Sequence, residues 1–250
     1  MKLTRRLFAL MLTLVLLSPL WAVPKDKQKD PPAGQKKDSG SFGVFMGGRR
    51  VGTETFSIFE NPSGSVIQSE FKTESTTDQA VQSSELQLTG NAEIRRYDWK
   101  ELSPGKAQST ILPNDQFLTQ TWSANPQEKP HEQPFLLSAS TNILDDYFFV
   151  HREVLAWKFL ATSCKRENGL LQCPVKQRAQ FGTLNPRQHS SALVTMEFLG
   201  REKATLHGSE QELNKLELKS DAGVWDLWLD DQFKVLRILI PADNTEVLRD

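Results

Sequence analysis

The chain predicts a mainly β fold: a curved antiparallel sheet, a half-barrel or open barrel, wrapped around one amphipathic helix. Three observations predict it. Short stretches of period-two alternation, separated by Gly, Asn and Asp turn signals, recur from Val44 to Ile240. Phe233 to Ile240 is apolar on both faces, which marks a strand covered on both sides. Within Ile143 to Leu160, Leu144, Tyr147, Phe148, His151, Val154, Leu155 and Phe159 fall at helical spacing and form an apolar stripe that can provide cover.

In chain order, Val44-Phe45-Met46 leads into Gly47-Gly48, and Val51 to Phe59 returns as the partner of an opening hairpin. Asn61-Pro62-Ser63-Gly64 is the next turn. Val66 to Thr73, Glu85 to Thr89, Ala92 to Trp99 and Phe117 to Trp122 continue the sheet. Ser123 to Pro134 is a Pro-rich loop between two apolar stretches. The expected helix follows, with Thr141 or Asn142 as its cap and Asp145-Asp146 in its first turn, where the helix dipole favours acids. Beyond it, Val194, Met196 and Phe198 alternate with Thr195 and Glu197. Leu216 and Leu218 alternate with lysines and Glu217. Asp221-Ala222-Gly223 and Asp230-Asp231-Gln232 turn the chain into and out of Val224 to Leu229.

The first 22 residues read as a secretory signal peptide, with a basic start at Lys2, Arg5 and Arg6, an uncharged run from Leu7 to Leu17, and Ala22 before the expected cut. That run is shorter than the about 20 residues that span a bilayer. An uncleaved anchor is the alternative. Residues 23–40 are rich in Lys, Asp, Pro and Gly and are expected to be a disordered tether. Residues 41–250 are expected to form a single β-rich domain. Loss of Lys2, Arg5 and Arg6 from the 30 basic residues leaves 27 against 31 acidic ones, a net charge of −4. That balance argues against a nucleic-acid partner, which calls for a basic face.

The two cysteines, Cys164 and Cys173, flank Asn168-Gly169, a signal for a two-residue hairpin turn. Pairing outward from that turn sets Cys164 opposite Cys173 in a non-hydrogen-bonded pair, where Cα atoms approach to about 4.5 Å. In an exported chain such a pair is expected to be a disulfide. A redox role calls for a C-x-x-C motif, and a zinc site calls for four ligands; neither is present.

No nucleophile elbow, zinc-protease helix, P-loop or dinucleotide fingerprint occurs, so no catalytic residue, metal site or cofactor is expected. His131, His189 and His207 lie in polar loop-like contexts, and His151 lies near the helical stripe without a partner nucleophile. The acid pairs Asp145-Asp146 and Asp230-Asp231 fit a helix start and a turn. Trp99, Trp122, Trp157, Trp225 and Trp228 either fill the core or line a cavity. The candidate ligand-contacting residues are Tyr147, Phe148, His151, Trp225 and Trp228.

The opening hairpin from Phe42 to Phe56, with its Val51-Gly52-Thr53-Glu54 stretch, resembles the first hairpin of a group of uncharacterised exported bacterial proteins. Leu144 to Phe149 and Val224 to Asp231 are similar to the same group. That resemblance implies a half-barrel similar in shape to the lipoprotein-localisation factors, with no assigned activity. The expected function is a non-catalytic periplasmic or secreted module, monomeric, that binds a lipid or another apolar molecule. An envelope protein that binds a protein partner through its sheet is the alternative.

Overall fold

A computed structural model describes residues 34–250 apart from 76, 78, 168 and 169. The expected signal peptide and residues 23–33 lie outside the described residues, as does the Asn168-Gly169 turn. The first half forms strands β1 (Gln35–Met46), β2 (Arg49–Asn61), β3 (Gly64–Thr73), β4 (Val81–Thr89), β5 (Ile94–Ser103), β6 (Gln108–Asn114), β7 (Phe117–Ser123) and β8 (His131–Phe135), of which β6 was not expected and β8 begins inside the expected Pro-rich loop. After β9 (Asn142–Ile143) and α1 (Val150–Ser163) comes the small hairpin β10 (Lys165–Glu167) and β11 (Leu170–Gln172). The chain ends with β12 (Arg178–Asn185), β13 (Ser190–Leu206), β14 (Ser209–Ser220), β15 (Gly223–Leu229), β16 (Val235–Ile240) and β17 (Thr245–Arg249).

The main sheet has 15 strands in the order β8 through β1, then β17 back to β12, then β9. From β1, in the middle of the sheet, the described chain meanders out to β8. It crosses through β9 and α1 to the far edge and meanders back until β17 pairs with β1. All pairings in it are antiparallel except the short β9–β12 contact. The sheet is open and curved, and no ladder joins β8 to β9. Pro134, which cannot donate to a ladder, sits in the edge strand β8.

Inward residues from both halves, among them Phe42, Phe56, Ile67, Tyr97, Met196, Leu216, Leu227, Ile238 and Val247, form one core with Phe148, Val150, Leu155 and Phe159. These side chains pack against one another and the helix. The two-sided β16 is covered twice, and only one of its covers is α1. Val235 and Ile238 face the helix core. Leu236 and Leu239 pack into a second cluster on the other face, with Ala204, Leu206, Leu213 and Trp228. That cover is the outer half of the β13–β14 hairpin. A bulge at Gly200, whose φ of +102° suits glycine, shifts the register there. The hairpin tip returns to β17, where His207 Nε2 lies 2.9 Å from the Arg249 carbonyl.

Two boundaries differ from expectation. The tether was expected to reach Gly40, yet β1 begins at Gln35 and pairs with β2. What orders this polar stretch is an ion cluster. A bulge between Lys36 and Asp38 turns Asp38 inward, where it meets Arg249 at 2.6 Å and Lys234 at 2.9 Å. The helix was expected from Ile143 with a cap at Thr141 or Asn142. It starts instead at Val150, and residues 144–149 form a loop. Asp145 and Asp146 belong to that loop, where they bind side chains rather than the helix dipole.

The Cys164–Cys173 disulfide is formed, with Cα atoms 4.5 Å apart, and β10–β11 has the predicted register. Among the described residues no helix is long and apolar enough to cross a membrane.

Candidate functional site

The start of α1 carries a buried polar network. Alternation in β2 puts Glu54, Phe56 and Ile58 on the inner face, so Glu54 is drawn into the core with its apolar neighbours. Its carboxyl accepts from the Phe149 amide at 2.6 Å, the Val150 amide at 3.3 Å and the Ser69 hydroxyl at 2.6 Å. A side chain 95 residues upstream thus does the work of a helix cap, which Phe149 cannot do. Burial pushes the Glu54 carboxyl up to about 7 against the pull of these donors. Gly52, two residues earlier, lies under the Phe71 ring; a Cβ there would stand 2.3 Å from Phe71 Cζ.

Asp145, fully buried, accepts from the Tyr97 hydroxyl at 2.8 Å, Arg187 Nε at 2.8 Å and the Tyr147 amide at 3.0 Å. Arg152 donates to the Asp145 and Phe148 carbonyls and lies 4.3 Å from the Trp225 ring centre. His151 accepts the Asp145 amide through Nδ1 at 3.4 Å and packs against Tyr97 and Phe148. Burial, then the nearby Arg152 and Arg187 charges, holds it far below its ordinary pKa. It is a buried core residue, and its Nε2 has no hydrogen-bond partner among the described residues.

A second buried cluster sits one turn along. Glu153 accepts the Val235 amide at 2.9 Å and faces Arg249 at 3.3 Å. Burial, followed by the hydrogen bond to Asp38, raises Glu153 well above the usual carboxyl range. Asp38 is lowered: its hydrogen bonds from Glu153, Arg249 and Lys234 outweigh its burial. Asp38 sits between its two cations, Arg249 and Lys234.

Of the five expected ligand-contacting residues, four gather at this end of the helix. Phe148 and His151 are buried, Trp225 is half-buried beneath Arg152, and Tyr147 is 40% exposed between Phe71 and Arg187. Trp228 is not with them. It lies on the opposite face of β15 in the second cluster, with its indole N–H donated to Glu202 at 2.7 Å. Among the described residues, no group of three or more His, Cys, Asp or Glu could hold a metal.

Among the described residues, two grooves open on the surface, one of them beside the helix. One, of about 350 Å³, has Ile58, Ile67, Val154 and Trp157 as its floor and Lys37 and Lys234 in its lining. Trp157 is fixed by donating its indole N–H to the Phe233 carbonyl at 2.6 Å. The other, of about 370 Å³, lies between Trp99 and Trp122 and is walled by Arg187, His131 and His189. Sequence reasoning missed Glu54, Asp38, Glu153 and Arg187 as site residues. For Glu54 the signal was there: an acid at an inward position of an alternating strand.

No protein-family model matches the chain, and no curated protein matches it. Among solved structures it is similar to a DUF1089 family protein from Pseudomonas aeruginosa, at 10% identity and a TM-score of 0.43. The likeness covers 92% of this chain and 97% of that one. The expected resemblance to exported half-barrel proteins finds no match among the family models or curated proteins, and concerns the short stretches quoted above. Two of those, Val51 to Glu54 and Leu144 to Phe149, meet in space through the Glu54 carboxyl.

Proposed function

We propose that this protein is a non-catalytic envelope module that binds an anionic amphiphile, with the acyl part on the floor beside Trp157 and the head group at Lys37 and Lys234. The observation that carries this reading is the groove's composition: an apolar floor beside two ammonium groups, at a volume typical of small-molecule sites. Both lysines are ion-paired, Lys37 with Glu60 at 2.7 Å and Lys234 with Asp38 at 2.9 Å, so a head group competes with these carboxylates. The disulfide supports placement in an oxidising compartment outside the cytoplasm.

The test is lipid extraction of natively purified protein with mass spectrometry, together with titration by a dansylated fatty acid. Expected are a copurifying lipid near one per chain and saturable uptake. Val154→Trp, which fills the groove from the half-buried face of the helix, should weaken uptake about tenfold or more, and Lys37→Glu should weaken it less and remove part of its salt dependence. A clean extract together with no uptake would overturn the proposal.

A further inference from the structure

We propose that the groove between Trp99 and Trp122 is a second binding site, which takes a flat ring carrying an oxyanion such as a carboxylate or phosphate. A guanidinium is donor-only, with N–H groups along two usable edges. Arg187 spends Nε on the buried Asp145, at 2.8 Å, while its Nη2 is buried without a hydrogen-bond partner. His189 Nδ1 is likewise buried and unpartnered. Both residues wall the same groove. An oxyanion seated there would accept from both.

The turn that carries them is fixed before any ligand arrives. The Pro186 carbonyl accepts Gln120 Nε2 from β7 at 2.6 Å. Asn185 Oδ1 accepts the Arg187 amide at 3.0 Å, and Asn185 Nδ2 donates to Asp146 at 2.7 Å. His189 is held at a φ of +49°, a conformation that a neighbourhood must impose on a non-glycine residue. A site built this way loses little freedom on binding.

The ring body follows from the walls. Trp99 lies 4.1 Å from the Arg187 guanidinium, and Trp122 lies 4.1 Å from the His189 ring and 5.4 Å from His131. Planar side chains of this kind stack on planar partners. The Ala107, Ser109 and Ser123 lining provides no deep apolar floor for an acyl chain. Glu128, exposed in the same lining, repels an anion and sets the limit on affinity.

The experiment is calorimetric titration of the purified protein with 2-naphthoate, 2-naphthalenemethanol and inorganic phosphate. The acid should bind about tenfold or more tighter than the alcohol and than phosphate alone. His189→Ala should weaken 2-naphthoate about tenfold, and Glu128→Gln should tighten it about threefold. Arg187→Lys, tested only where circular dichroism matches the parent, should weaken it as His189→Ala does. A saturating dansylated fatty acid should leave naphthoate affinity in the parent protein unchanged, which separates this site from the amphiphile groove. Absent binding, equal affinity for acid and alcohol, phosphate binding as well as the acid, or an unchanged affinity in His189→Ala would each overturn the proposal.

Discussion

Glu54 joins the opening hairpin to the helix, and its protonation makes the fold sensitive to pH. Its folded pKa of about 7 stands above the ordinary 4.5, so the folded state holds the proton more tightly. Its contribution is therefore greatest below pH 4.5 and is lost as pH rises through 7, by about 3 kcal/mol for a shift of that size. His151 acts the other way. Its folded pKa is depressed, so its contribution is present above 6.5 and declines as the pH falls below it. Between 4.5 and 6.5 the two slopes oppose each other. Glu54→Gln removes one slope and leaves the other. Its stability measured against the parent should improve by about 3 kcal/mol from pH 4.5 to 7.5, read by urea unfolding at several pH values. A pH-independent difference would show that Glu54 carries no shifted proton. Glu54→Ala strands two helix amides and the Ser69 hydroxyl, and should cost about 2–4 kcal/mol at pH 6.

At the scale of elements, β1 to β5, β7, β13 to β16 and the cysteine hairpin were legible because their signals are local; β6, β12 and β17 were not read from the sequence, and β8 and β9 fall in stretches expected to be a loop and a helix. Alternation fixes which side chains turn inward, and the Asn168-Gly169 signal set the pairing that the disulfide confirms. The start of α1 was not legible. The acid that caps it comes from β2, and no local pattern around residue 149 points to Glu54. The position of Trp228 was half legible: three residues after Trp225, it must face the other side of a regular strand. Its cover was not, because a long hairpin folding back after Gly200 is a tertiary event. Two predictions belong here. Trp228→Ala should cost about 3–5 kcal/mol through the lost packing while leaving dansyl-lipid affinity unchanged; a parallel loss of affinity would place Trp228 in the site after all. Replacing Cys164 and Cys173 with Ser should cost about 2–3 kcal/mol, by the chain-entropy relation for so short a loop. The loss should appear as a lower urea midpoint in the variant and in the reduced parent alike.

At the scale of the molecule, the sheet is two meanders joined along one seam, where the last strand pairs with the first. Of the described strands, β17 alone stands between β1 and β16. It supplies Val247 to the core and Arg249 to the buried Asp38–Glu153 pair. Without it, two strands lose their ladder partners, and the buried Asp38 loses one of its two cations and keeps only Lys234. Opposite the seam there is no ladder, and Gln120 of β7 donates across to the Pro186 carbonyl just beyond β12. The two sides should therefore answer differently to a cut. Ending the chain at Asn244 should abolish cooperative thermal unfolding, with near-ultraviolet circular dichroism lost. Inserting about six Gly and Ser residues within the exposed loop 124–130 should cost under about 1 kcal/mol, the closure entropy of a longer loop. A truncated chain that still melts cooperatively would mean that the two meanders hold together through α1 alone, and that the seam is dispensable.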